Sequence, residues 1–236
     1  MRILAIDTSS NAGSLALLSN DRIIDAISSR GLNPYSERLF RDLAVLQGRA
    51  GFQLSEMDIF AVATGPGSFT GLRVGLTAVK AWAEVHGKPV AAISGLEAVA
   101  AQSQLCARAG AARIAPFLDA HRGLKFGATY RYDDPCRLAR IGEEAVLSEA
   151  EFLALVQASF GAEPCTLVSP TPGILSIERI HEMLPNAQVE QVPEDLAAVI
   201  GRLGYERALR GELTDALHLE ANYIQRSNAE LLQKAT

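Results

Sequence analysis

The sequence predicts an α/β fold built as two related lobes. Three observations carry this. The chain opens with three short apolar stretches separated by turn residues; helical and strand patterns then alternate; and the second half begins again with strands that lead into alternating helices and strands. The 236 residues suit one large domain or two lobes divided near residue 105, the second running over 106–236 with a C-terminal stretch that can pack back on the first.

Ile3 to Ile6 reads as a buried strand. Asn11-Ala12-Gly13 supplies turn chemistry, Leu15 to Leu18 a second strand, Ser19-Asn20-Asp21 another turn, and Arg22 to Ser28 a third strand. Ser36 is the expected N-cap of a helix reaching about Gly51, with Leu39, Leu43, Leu46 and Ala50 on one face and Phe40 and Val45 widening it. Ile59 to Ala63 is a buried-type strand. It leads through Thr64-Gly65-Pro66-Gly67-Ser68-Phe69-Thr70-Gly71 into a helix from about Thr70 to His86, closed by Gly87 and Pro89. Val90 to Ile93 reads as a strand and Gly95 to Ala109 as an Ala-rich helix.

In the second half, Ile114 to Leu118, Lys125 to Tyr132 and Thr166 to Ser169 read as strands. Ser148 caps a helix to about Phe160, Glu178 to Leu184 forms a short helix, and Pro193 opens a helix to about Arg210. The remainder, through Tyr223, is an extended tail.

Hydrophobic residues make up 48% and charged residues 21%, the balance of a chain with a packed core. No apolar run is long enough to span a bilayer, and Asp7 interrupts the first before it could serve as a signal-peptide core, so a cytoplasmic protein is expected. Cys106, Cys136 and Cys165 are too scattered for a disulfide framework or a zinc site. The net charge is −5 and the basic residues are dispersed, Arg137 with Arg140 being the densest pair, so any RNA contact calls for a partner's positive surface.

Two stretches could carry chemistry. Gly65-Pro66-Gly67 before a helix N-terminus is an anion-binding arrangement. Gly71 comes one residue late for a dinucleotide fingerprint, however, and Leu72 stands where a phosphate loop has Lys. The alternative is a tight turn with Ser68 or Thr70 capping the helix. Asp7-Thr8-Ser9-Ser10 has the acid and hydroxyls with which actin-like ATPases and sugar kinases meet a metal-bound nucleotide, but its glycine arrives only at Gly13. Asp7, Thr8, Ser9, Gly65 and Gly67 are therefore the candidate nucleotide residues. His86, His121, His181 and His218 form no metal-binding spacing, no Gly-x-Ser-x-Gly elbow occurs, and no catalytic or metal-binding residue is assigned.

The Gly71 to Val85 helix is apolar around much of its circumference, and Gly71, Gly75 and Ala78 place small residues at helical spacing. Paired with the Leu39/Leu43/Leu46 helix, it offers a two-helix face for a partner.

Ile3-Leu4-Ala5-Ile6-Asp7-Thr8-Ser9, together with Thr64 through Gly75, resembles the TsaB family. Tyr35-Ser36-Glu37 is similar to that family's His-Ser-Glu segment with Tyr for His, and Asp119-Ala120-His121-Arg122 to its Asp-Ala-Arg stretch. Ala221-Asn222-Tyr223-Ile224-Gln225 keeps only Tyr223 of a Pro-x-Tyr-Leu-Arg segment. The resemblance is close to about residue 105 and thin beyond.

It implies an actin-like fold related to sugar kinases and heat-shock ATPases. It further implies a pseudo-enzyme, older labels calling such chains glycoprotease-like, that supports threonylcarbamoyladenosine formation in tRNA. Its partners would be a catalytic paralogue, TsaD, and an ATPase, TsaE, with homodimers when alone, tRNA reached only through the complex, and no membrane. No cofactor is expected on the lone chain, and ATP could sit at the complex interface. The expected docking residues are Ser36, Leu39, Phe40, Leu43, Leu46, Phe69, Leu72, Arg73, Gly75, Leu76 and Val79. A phosphotransferase or ATPase acting alone is the competing reading. A dinucleotide oxidoreductase is disfavoured by the three opening strands.

Overall fold

Strand β1 (Arg2–Asp7) pairs antiparallel with β2 (Gly13–Ser19), which pairs antiparallel with β3 (Arg22–Ser29). A bulge makes Ile24 the unmatched residue opposite Leu17 and Leu18, and its side chain points to solvent. After helix α1 (Tyr35–Ala50), β4 (Ile59–Gly65) joins β1 in parallel. Helix α2 (Phe69–His86) then crosses to β5 (Val90–Ser94), completing a sheet ordered β3-β2-β1-β4-β5. The computed structural model describes residues 1–31, 34–103, 113–134 and 137–224. The expectations for Cys106, Cys136, Gln225, the boundary at residue 105 and helix beyond residue 103 fall outside these residues.

Two units are distinct. Unit 1 comprises Met1–Ala98 with Pro193–Asn222, and unit 2 centres on Val99–Val192. The second lobe expected over 106–236 thus ends earlier, because its C-terminal stretch packs back on the first, as the sequence allowed: helix α6 (Ala197–Arg210) belongs to the first sheet. The reason is packing. Glycines let α6 lie close to the strands, Gly201 against the Leu18 side chain and Gly204 against Ala61 and Ala91. Ser14 Oγ on β2 accepts from Ala197 N at 3.1 Å, so a strand residue caps this helix. Pro193, expected to open it, lies before its first residue, Ala197. Ser14→Ala should therefore cost about 1 kcal/mol in denaturant unfolding, the usual loss on removing a helix cap.

The other face of the sheet carries α1 and α2. Leu4, Ile6, Leu15, Leu17, Phe60 and Val62 pack there with Leu39, Leu43, Leu46, Leu76 and Val79. The segment after α6 closes this core: Thr214 bridges Val90, Leu219 is fully buried in it, and Asn222 N donates to Thr64 O at 2.8 Å.

Caps explain most boundaries. Ser68 Oγ accepts from Gly71 N at 3.2 Å to start α2. Pro34, not Ser36, precedes α1, which begins without a side-chain cap; Ser36 lies inside its first turn, on the surface. Gly51 and Gly87 end the two helices in the left-handed conformation.

Helix α3 (Gly95–Ala101) spans the change from unit 1 to unit 2. Unit 2 has a seven-stranded sheet with the path β10-β7-β6-β11-β12, and β8 pairs with β6 and β9. Its strands are β6 (Arg113–His121), β7 (Leu124–Gly127), β8 (Tyr130–Asp134), β9 (Arg137–Arg140), β10 (Ala145–Ser148), β11 (Cys165–Ser169) and β12 (Ala187–Gln191). The single strand expected over Lys125 to Tyr132 is two, broken at Ala128-Thr129, where Thr129 Oγ1 turns to Ser159 Oγ at 3.1 Å. Helix α4 (Glu149–Phe160) has the expected Ser148 cap, strengthened by Glu151, and α5 (Ile177–Met183) starts at Ser176. Phe117, Phe152, Val156, Leu167 and Ile180 form the core of this unit, and buried Cys165 packs at its edge. The Asp119-Ala120-His121-Arg122 stretch ends β6 in a turn where His121 and Arg122 both take positive φ.

A candidate docking groove between two helices of unit 1

The α1 and α2 helices bury one side and leave the other open. On α1, Leu39, Leu43 and Leu46 are core; on α2, Leu72, Gly75, Leu76 and Val79 are core. These seven expected docking residues are thus corrected: all are buried within unit 1, and none is open to a partner. Ser36, Phe40, Phe69 and Arg73 of the same expectation are exposed and line an open groove of about 530 Å³.

Ala78, singled out from the sequence as a small residue of this helix, also lines it, and sequence reasoning missed Thr70, Val74, Thr77, Ala81 and Trp82. A signal was present. Phe69, Arg73, Thr77 and Ala81 recur every four residues, which places them on one helix stripe. The apolar rule favoured the opposite, leucine-bearing face because it was greasier.

Aromatic rings wall the groove. Phe40, 54% exposed, meets Trp82 edge-on with centroids 6.3 Å apart, and Trp82 rests on buried Phe60 at 6.0 Å. Phe69, 53% exposed, lies under the Arg73 guanidinium at 3.8 Å. Thr77, Ala78 and Ala81 add only short side chains, so the lining is wide, shallow and mostly apolar, with Arg73 as its charged residue. Two bulky aromatics half in water and a small-residue floor are what a helix pair needs to receive another ridge of side chains.

The candidate nucleotide residues come together, but around the chain itself. Asp7 is fully buried, and Thr8 and Ser9 nearly so. Ser9 O accepts from Ser68 N at 2.7 Å, and Thr8 Oγ1 donates to Gly71 O at 2.7 Å. A Cβ on Gly67 would strike Ser9, one on Gly71 would strike the Thr8 carbonyl oxygen, and one on Gly75 would strike Thr8 Oγ1. The stripe of small residues on α2 thus seats Thr8, and the Gly loop cradles Ser9 where the anion-binding reading would place a phosphate. Burial pushes the Asp7 carboxyl up to about 6; the hydrogen bonds from Ser9 oppose this, and Glu194 and Asp195 add to it. Tyr35, in place of the family's His, stacks under Arg38 at 4.7 Å and reaches Asn11 Oδ1 at 3.4 Å.

Among the described residues, no group of three His, Cys, Asp or Glu side chains could hold a metal ion, and no helix is long and apolar enough to cross a membrane.

The family model for TsaD, tRNA N6-adenosine threonylcarbamoyltransferase, matches residues 32–225. The chain belongs to the TsaD family. Within this family it is similar to the tRNA threonylcarbamoyladenosine biosynthesis protein TsaB of Bacillus subtilis, 34% identical over 132 residues. That alignment covers 56% of each protein, so the chain spans a little over half the length of this curated relative. The crystal structure of YeaZ from Pseudomonas aeruginosa matches over 94% of this chain and 99% of its own, with 26% identity and a TM-score of 0.76. A ROK hexokinase from Thermus thermophilus shares the fold at a TM-score of 0.56 and 11% identity, covering 89% of this chain and all of its own. The TsaD-family chain therefore has the actin-like, sugar-kinase fold, with mixed sheets flanked by helices, and the TsaB resemblance stands.

Proposed function

We propose that this chain is a non-catalytic partner subunit in the formation of threonylcarbamoyladenosine in tRNA. It docks a catalytic TsaD-like relative through the groove between α1 and α2. The single observation that carries this is the groove itself: Phe40 and Phe69 stand open to solvent beside Trp82 in a lining with one charged residue. Family membership supports the choice of partner. A family model that carries the transferase's name covers most of this chain, so the catalytic relative is built from the same elements and has a corresponding helix pair. The B. subtilis relative's name supplies the pathway. A TsaE-like ATPase joins the assembly, tRNA is met through the complex, and the lone chain pairs with itself through the same groove.

The test is reconstitution. Purified TsaD-like subunit, TsaE-like ATPase, tRNA, a threonylcarbamoyl donor and ATP with magnesium should yield modified nucleoside only when this chain is added. Equal yield without it contradicts the proposal.

The competing phosphotransferase reading needs nucleotide on the lone chain. The packing of Thr8 and Ser9 against the Gly loop supports its absence within unit 1. Calorimetry of the isolated chain with ATP and magnesium should show no binding heat. Tight binding abolished by Asp7→Ala would favour the phosphotransferase.

A further inference from the structure

On the buried side of α1, unit 1 has a small cleft lined by polar and apolar residues. Asp7, Ser14, Ser29, Tyr35, Arg38 and Asp42 are among the residues that line it. Its volume is about 10 Å³, close to the space that one water molecule's centre requires. Two buried polar atoms on these residues have no hydrogen-bond partner, Asp7 Oδ2 and Arg38 Nε. Asp7 is 0% and Arg38 4% exposed, so bulk water reaches neither.

The other polar atoms around the cavity are engaged. Asp7 Oδ1 accepts from Ser9 N at 2.8 Å. Arg38 Nη1 donates to Asn11 O at 2.8 Å and to Ser29 O at 3.0 Å. Asp42 accepts from Ser29 Oγ and from Arg41 Nε, and Ser14 Oγ accepts from Ala197 N. A carboxylate oxygen and a guanidinium N–H left bare in a protein interior carry a desolvation cost that native folds rarely leave standing.

Chemistry selects the occupant. An anion would meet the carboxylates of Asp7 and Asp42. A cation would meet the guanidinium of Arg38. Anything with several heavy atoms exceeds the volume. The occupant must donate to one orphan and accept from the other while carrying no charge, which describes water.

We propose that this cavity holds one internal water molecule that donates to Asp7 Oδ2 and accepts from Arg38 Nε. This water ties the end of β1 to the first turns of α1. The tie has a clear use. Helix α1 starts after Pro34 with no side-chain cap, yet the outer side of the same turns carries Ser36 and Phe40 of the groove. Asp7 thus acts as a positioning residue for α1, through a solvent molecule, in the place where a sugar kinase would use an acid on its nucleotide.

A crystal structure of the full chain that resolves ordered solvent is the first test. One density peak within hydrogen-bond distance of both Asp7 Oδ2 and Arg38 Nε is expected. An empty cavity, or a direct Asp7–Arg38 hydrogen bond, overturns the proposal. Hydrogen exchange is the second test, read as the ratio of rates in the first two turns of α1 to rates in α2. Arg38→Met, which keeps the stem but removes the Nε donor together with the Nη1 bonds to Asn11 O and Ser29 O, should raise that ratio at least tenfold. Asp7→Asn, which keeps a polar atom facing the water, should leave it within about twofold. An unchanged ratio in Arg38→Met overturns the role assigned to the water.

Discussion

Gly71→Ala should remove about 3 kcal/mol or more from the stability of unit 1, enough to unfold a marginal protein near its growth temperature. The added methyl would overlap the carbonyl oxygen of Thr8, a backbone atom, so no flexible side chain can swing away to relieve the clash. The helix cannot retreat either. Leu72 and Val79 anchor it in the core, and Ser68 N is bonded to Ser9 O at 2.7 Å on the same seam. Gly75→Leu should act similarly through Thr8 Oγ1, whose 2.7 Å hydrogen bond to Gly71 O it would break. Denaturant unfolding measures both. A loss of partner association in either variant would therefore report a damaged fold; a Gly71→Ala chain as stable as the parent would remove the seam from this account.

Asp7→Asn should do the opposite. The Asp7 carboxyl has its pKa raised from 3.8 to about 6, chiefly by burial. A raised acid favours the folded state most when protonated. Its contribution is complete below the unfolded value near 3.8 and is lost as pH rises through about 6. Above pH 7 the fold thus carries a buried charge whose cost, at 1.36 kcal/mol per unit, is about 3 kcal/mol. Asparagine has the same shape, keeps an acceptor for Ser9 N and carries no charge. The variant should be more stable than the parent by about 2–3 kcal/mol at pH 7.5, and the advantage should vanish at pH 4. Unfolding of both chains at the two values checks this, because other titrating groups cancel in the difference. An Asp7→Asn chain no more stable than the parent at pH 7.5 would contradict the cost assigned to the buried charge. Retaining so costly a group suits a residue kept for positioning rather than for stability.

The first lobe was legible because local signals and tertiary structure agree there. Three short strands, a leucine-faced helix, and a Gly loop with Ser68 ready to cap each point to one answer. The end of the chain was not legible. Pro193 looks like a helix start, but the cap of α6 is Ser14, 183 residues away, and no local pattern announces it. Strands β9, β10 and β12 were missed because they are short and half-exposed, with little alternation to read.

The proposed docking groove was legible by region and only in part by face: Ser36, Phe40, Phe69 and Arg73 line it, and the seven other expected residues are buried. Hydrophobic spacing located α1 and α2 correctly, then assigned the leucines to a partner. Leucines at helical spacing belong first to the chain's own sheet. What remains open is the face with isolated aromatics and small residues; Phe40 and Phe69 were named from the sequence, but Thr77 and Ala81 read as ordinary surface until the helices are placed together.

The central claim is that this aromatic groove, and not the leucine face beneath it, binds the catalytic relative. The most direct test is titration calorimetry of purified TsaD-like subunit into this chain and into Ala81→Arg. Arginine is a good helix former at an exposed site, so the variant should match the parent in unfolding midpoint, and it places a charge on the groove floor. The account predicts association weakened at least about a hundredfold, the scale of a lost hot spot. A stable Ala81→Arg chain that binds as tightly as the parent would contradict it.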